Sequence, residues 1–192
     1  MAEVILFHHA HGLTSGVRNF AEDLRRACHI VHVPDLYEGR VFATLEEGLA
    51  YAKETGFGVI QERGERVADG LPATLVYAGF SLGAMPAQAL AQTRPGAAGA
   101  LLFSACVPPE EFGGAWPAGV PVQIHGMDGD ELFADSGDLD AARALVASTP
   151  GSELFLYPGR CHLFADDSLP DYDAAATALL KERVLRFLAG DQ

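Results

Sequence analysis

The stretch TLVYAGFSLGAMPAQALAQ, residues 74–92, sets an apolar run, a glycine-flanked serine and a helix-like segment in direct succession. Thr74 to Ala78 reads as a buried strand, and Leu82 to Thr93 as a helix that Pro95 and Gly96 stop. Between them, Gly79-Phe80-Ser81-Leu82-Gly83 has the pattern of a sharp strand-to-helix turn presenting a nucleophile. Such a turn needs small residues on both sides of the serine, because its backbone is strained and packs close to neighbouring strands. The helix start that follows offers the Leu82 amide to a developing anion. An inert serine in a glycine-rich turn would fit the same five residues, so the reading depends on what the rest of the chain supplies.

Outward from this turn, short apolar runs recur at Val4 to His8, Ile30 to Val33, Ala100 to Phe103, Val120 to His125 and Leu154 to Tyr157. Without strict alternation, they read as strands covered on both faces, as in a parallel sheet. Helix-like segments separate them at Val17 to Ala27, Thr44 to Gly56, Val59 to Asp69, Leu139 to Ser148 and Tyr172 to Leu188. Ser15 and Asp138 are the candidate N-caps of the first and fifth of the chain's six helix-like segments. Strands alternating with helices predict an α/β fold with right-handed crossovers. With no internal repeat, low-complexity segment or charged linker, residues 1–192 read as one domain.

A serine needs a base at neutral pH, and the base needs an orienting acid. Of seven histidines, His162 alone lies in the loop after the last strand, where a doubly wound sheet collects ligand sites. The run ending at His125 leads into Gly126-Met127-Asp128-Gly129-Asp130. Asp130 is favoured as the acid because Phe133 can anchor its loop; Asp128, between Met127 and Gly129, suits a turn-shaping role and stays a candidate. The first strand ends in His8-His9-Ala10-His11-Gly12, a place for a second oxyanion donor, with the Ala10 amide first and His11 next. A metal site on His8 and His11 is the competing reading, but alternation along a strand sends His8 and His9 to opposite faces. Trp116 is either loop packing or a pocket wall, and Asp166-Asp167 reads as a solvated loop.

Composition limits the partners. The chain is 49% hydrophobic and 20% charged, too apolar for bulk disorder. Thirteen Lys and Arg against 26 Asp and Glu give a formal charge of −13, which disfavours nucleic acid. No apolar run reaches the ~20 residues of a membrane span, and MAEVILFHHAHG reads as a strand rather than an export signal, so a cytoplasmic protein is expected. Three cysteines without CxxC spacing, Cys28, Cys106 and Cys161, predict neither a disulfide framework nor a thiolate metal site. No cofactor is expected, and monomer and homodimer are both open.

The segments His11-Gly12-Leu13-Thr14, Val33-Pro34-Asp35-Leu36-Tyr37-Glu38-Gly39, the Ser81 turn, Asp130-Glu131-Leu132-Phe133 and Cys161-His162-Leu163-Phe164 together resemble the dienelactone hydrolase family of the α/β-hydrolase superfamily. The resemblance spans nearly the whole chain. It implies a minimal α/β-hydrolase: a six-stranded, mainly parallel sheet in the order 2-1-3-4-5-6, helices on both faces, no cap domain, and the triad Ser81, Asp130 and His162. The family's founding enzymes carry cysteine where this chain has Ser81. They carry a glutamate in the region that here reads His9-Ala10-His11, and an arginine where this chain has Asp166. An acid there, on a chain of this charge, points away from anionic substrates and toward a small neutral ester, lactone or thioester. A non-catalytic binding or regulatory module on the same scaffold is the alternative. His11 and Trp116 are the expected pocket residues, in a site that should be shallow and open.

Overall fold

The computed structural model describes residues 1–190. Its centre is a sheet of six strands: β1 (Glu3–Phe7), β2 (Ile30–His32), β3 (Val76–Phe80), β4 (Gly99–Phe103), β5 (Val122–Met127) and β6 (Glu153–Tyr157). They run in the order β2-β1-β3-β4-β5-β6, and every neighbouring pair is parallel. Among the described residues, seven α-helices connect or flank them: α1 (Ser15–Arg26), α2 (Leu45–Thr55), α3 (Phe57–Ala68), α4 (Ala84–Thr93), α5 (Glu131–Ala134), α6 (Asp138–Ser148) and α7 (Ala174–Ala189). Among the described residues no helix is long and apolar enough to cross a membrane.

Strand alternation divides the core into two layers. Ile5, Phe7, Tyr77 and Leu102 face α2, α3, α4 and α6, where they meet Ala52, Ile60, Ala87 and Leu145. Val4, Leu6, Val76, Ala78, Leu101 and Phe103 face α1 and α7, where they meet Phe20, Leu24, Leu180 and Val184. Phe20 stands edge-on to both Phe80 and Phe103, with ring centroids 5.1 and 5.6 Å apart, so α1 is locked onto the middle of the sheet.

Several boundaries differ from the sequence expectation, for local reasons. β3 runs two residues further, to Phe80, because Gly79 and Phe80 still pair with Leu102 and Phe103 of β4. β5 starts after Pro121, which has no N–H to donate but accepts from Ala100 through its carbonyl. The N-cap of α1 is Thr14, whose hydroxyl accepts the Val17 amide, and Ser15 is already helical. Asp138 is likewise inside α6, which Gly137 precedes at φ 100°; its carboxylate instead accepts the Cys106 amide across the site. α5 and a 3₁₀ turn over Pro109–Phe112 are short additions that no periodicity signalled.

Three buried histidines, His8, His9 and His125, make the fold sensitive to acid; burial lowers the pKa of each. His125 on β5 bonds Tyr157 and Gln123; burial, reinforced by the charge of Arg183, lowers its pKa to about 3. His8, also buried, is lowered to about 4, mainly by burial. Below pH 6.5 the unfolded chain takes up protons that these folded imidazoles refuse, so stability falls with falling pH. Denaturant titrations should therefore show a loss of at least about 2 kcal/mol between pH 6 and pH 5. An unfolding free energy that is flat over that range would contradict the assignment.

Candidate active site

β3 delivers Ser81 directly into a 3₁₀ turn, Ser81–Gly83, with the serine at φ 48°. A side chain rarely adopts that left-handed conformation, and the flanking glycines explain how it persists. A Cβ on Gly79 would run into the carbonyl of Gly83, and one on Gly83 would lie 2.5 Å from His8 O and 2.6 Å from Phe7 O. The turn is thus packed backbone to backbone against the end of β1.

Ser81 Oγ lies 2.7 Å from His162 Nε2, and His162 Nδ1 lies 2.7 Å from Asp130 Oδ2. An ionised carboxylate can only accept, so Nδ1 carries the imidazole proton and Nε2 is the acceptor for the serine hydroxyl. Asp130 is almost wholly buried and uses both oxygens. Its Oδ1 accepts the Leu132 amide at 3.0 Å as the N-cap of α5, while Oδ2 holds the histidine. Asp128 instead accepts the Gly159 amide at 3.1 Å and shapes the junction between the loops after β5 and β6.

Sequence reasoning missed Ser104, which sits at the end of β4 at φ 56°. Its amide bonds His125 O and its hydroxyl donates to the carbonyl of His162 at 2.7 Å, fixing the histidine's backbone. Two strained serines, one on each of the adjacent strands β3 and β4, therefore hold the two sides of the Ser81–His162 contact. A positive φ outside glycine leaves no trace in composition or periodicity.

In the loop after β1, the His11 amide donates to His9 Nδ1 at 3.3 Å and the Gly12 amide to His9 O at 3.0 Å. The amide of the buried Ala10 has no acceptor among the described residues, nor has that of Leu82, which lies in the unpaired first turn of its helix. His8 and His9 do fall on opposite faces: His8 packs edge-on to Tyr37 and His9 to Phe80. His8 donates from Nδ1 to His9 O and accepts the Leu36 amide at Nε2; His11 donates from Nδ1 to Phe42 O. Among the described residues no three His, Cys, Asp or Glu side chains converge as a metal site.

Ser81 and His162 open into a cavity of about 770 Å³. Its walls come from the α2–α3 pair, α4, the Pro109–Phe112 turn and the α5–α6 region, and it is open to solvent, with Leu49, Phe57 and Leu132 of its wall exposed. Neither His11 nor Trp116 lines it. His11 is turned toward the loop at Phe42, and Trp116 donates its indole N–H to Val120 O at 2.6 Å and borders a neighbouring hollow. Asp166 is not a solvated residue and does not reach the cavity. It is buried beneath the loop, where burial raises its pKa but hydrogen bonds from His9, Ser168 and Thr14 outweigh that and hold it at about 2. Among the described residues, the cavity's carboxylates are Glu111 and Asp138, and neither Lys nor Arg lines it. The Cys106 thiol in its wall is pushed up to about 12 by burial and by Asp138, so it is no nucleophile at neutral pH.

Solved structures share this architecture. The dienelactone hydrolase-like promiscuous phosphotriesterase P91 from metagenomic libraries superposes with a TM-score of 0.76 at 18% identity, covering 99% of this chain and 86% of that one. Dienelactone hydrolase from Anabaena variabilis gives 0.69 at 16% identity, over 99% and 86%. Esterase PE8 gives 0.63 at 22% identity, over 94% and 92%. At these identities the likeness is one of fold. No curated protein matches the chain in sequence. The model of the dienelactone hydrolase family, however, matches residues 1–190, essentially the whole length that carries the sheet, the Ser81 turn and the His162 loop. The chain belongs to the dienelactone hydrolase family, on an α/β-hydrolase fold.

Proposed function

We propose that the protein is a serine hydrolase that cleaves a neutral carboxylic ester or lactone, or the related thioester, through an acyl-enzyme on Ser81. The observation that carries this reading is the Ser81–His162–Asp130 relay, with both contacts at 2.7 Å, at the foot of a cavity. In this reading His162 takes the serine proton as Oγ attacks the carbonyl, and Asp130 holds the imidazole tautomer and stabilises the imidazolium. The tetrahedral oxyanion takes the amides of Leu82 and Ala10, each worth about 3 kcal/mol in comparable sites. His162 then returns the proton to the leaving alcohol, and a water repeats the cycle to release the acid.

The lining supports the choice of substrate. Two carboxylates in the wall, Glu111 and Asp138, without a cation disfavour an anionic ester; Asp166 lies outside the cavity. The apolar wall of Leu45, Leu49, Phe57, Met85 and Leu132 suits a hydrocarbon chain of several carbons. Leu49, Phe57 and Leu132 are all exposed, and apolar groups left in water around a polar reacting centre favour a substrate that covers them.

With p-nitrophenyl esters, Ser81→Ala and His162→Ala should each lower turnover by about 10⁴-fold or more. Turnover that survives either substitution would rule out the acyl-enzyme, and a wild type inactive on the whole ester series would favour the scaffold-only alternative. From acetate to hexanoate kcat/KM should climb, by up to about fourfold per methylene. Phe57→Ser should cut the hexanoate value while leaving acetate nearly unchanged, and a hemisuccinate ester should be a poor substrate. Equal kcat/KM for all chain lengths, or a preference for the hemisuccinate, would refute the substrate assignment.

A further inference from the structure

The chemistry above makes no direct use of His9, yet this side chain is the link between two loops of the site. Its Nε2 lies 2.7 Å from Asp166 Oδ2 and its Nδ1 accepts the His11 amide at 3.3 Å. A backbone amide can only donate and an ionised carboxylate can only accept, so the two partners dictate one neutral tautomer, with the proton on Nε2. Burial lowers the imidazole's pKa against the pull of Asp166, in agreement with a neutral ring.

Asp166 is anchored in turn. Its oxygens accept from Thr14 Oγ1 at 2.5 Å, Ser168 Oγ at 2.6 Å and Ser168 N at 2.9 Å. Ser168 Oγ also takes the Gly16 amide, and a Cβ on Gly16 would occupy the space of the carboxylate. The Asp166 amide closes a turn on Leu163 O, the residue next to His162. One continuous network therefore runs from the His11 amide through His9 and Asp166 to the start of α1 and to the loop that bears the catalytic imidazole.

We infer that His9 is a positioning residue for the oxyanion site: by binding the His11 amide it leaves Ala10 as the free donor of its loop, and through Asp166 it fixes that loop against the His162 loop. Preorganised donors act on the transition state more than on the bound ester, so removing their support lowers kcat rather than raising KM. The inference rests on the acyl-enzyme reading.

Two substitutions separate the two bonds of the ring. In His9→Asn the side-chain oxygen falls near Nδ1 and can keep the His11 amide, but the chain is too short for Asp166. In His9→Gln the amide nitrogen reaches toward Asp166, but no acceptor remains for His11. Both are compared with wild type on p-nitrophenyl butyrate and with n-butylboronic acid, whose tetrahedral serine adduct puts an oxygen in the oxyanion site. Thermal melts establish that each variant is folded. His9→Gln should lose at least about tenfold in kcat with KM within about twofold, and should weaken boronic acid binding in step; His9→Asn should recover much of both. Folded variants that both keep wild-type kcat and boronic acid affinity would overturn the inference while leaving the acyl-enzyme intact. A wild type without turnover would overturn both. Should the variants fail to fold, imidazole ¹⁵N shifts of the wild type decide: at pH 8 His9 must be in the neutral Nε2–H form that its two partners dictate, and the opposite tautomer refutes the network.

Discussion

A serine held at φ 48° between two glycines is the constraint around which this small hydrolase-family fold is organised. An L-residue in that region costs about 1–2 kcal/mol, so the conformation persists only where its surroundings leave no alternative. Here they leave none. β3 is an interior strand, paired to β1 on one side and β4 on the other, and the turn after it rests on the carbonyls of Phe7 and His8. Moving Ser81 into a relaxed conformation would require breaking the middle of the sheet. The strain is therefore stored at the residue proposed as the nucleophile, which it holds clear of its own backbone.

Around that point the chain gives individual groups two tasks. Asp130 caps α5 with one oxygen and orients His162 with the other. Ser104 accepts a strained backbone at the end of β4 and holds the His162 carbonyl. Asp138 opens α6 and ties down the Cys106 amide in the cavity wall. Burial raises the pKa of the Asp138 carboxyl, against the hydrogen bonds from Ser136 and the Cys106 amide. The cavity walls need no separate cap domain, because the α2–α3 pair between β2 and β3 supplies the apolar side.

Much of this was legible in the residues, and the reason is proximity along the chain. The Ser81 turn, the apolar strands and the Asp130 and His162 loops are each defined by fewer than about a dozen consecutive residues whose periodicity and turn chemistry report directly on structure. What could not be read depends on partners far apart in sequence. Asp166 looks like a surface acid until Thr14 and His9 are brought to it across 152 and 157 positions. The caps illustrate the same limit at short range. Ser15 and Asp138 are good capping residue types, but Thr14 and Gly137, each one position earlier, have the non-helical backbone that an N-cap requires.

The proposed chemistry requires Ser81 to be an activated nucleophile. The most direct measurement is peptide mass mapping of wild type and His162→Ala after exposure to a fluorophosphonate. Activation by the relay predicts one adduct per chain, on the peptide containing Ser81, formed by His162→Ala more slowly by about 10³-fold or more. An adduct on any other residue, or equal labelling of the two proteins, would contradict it.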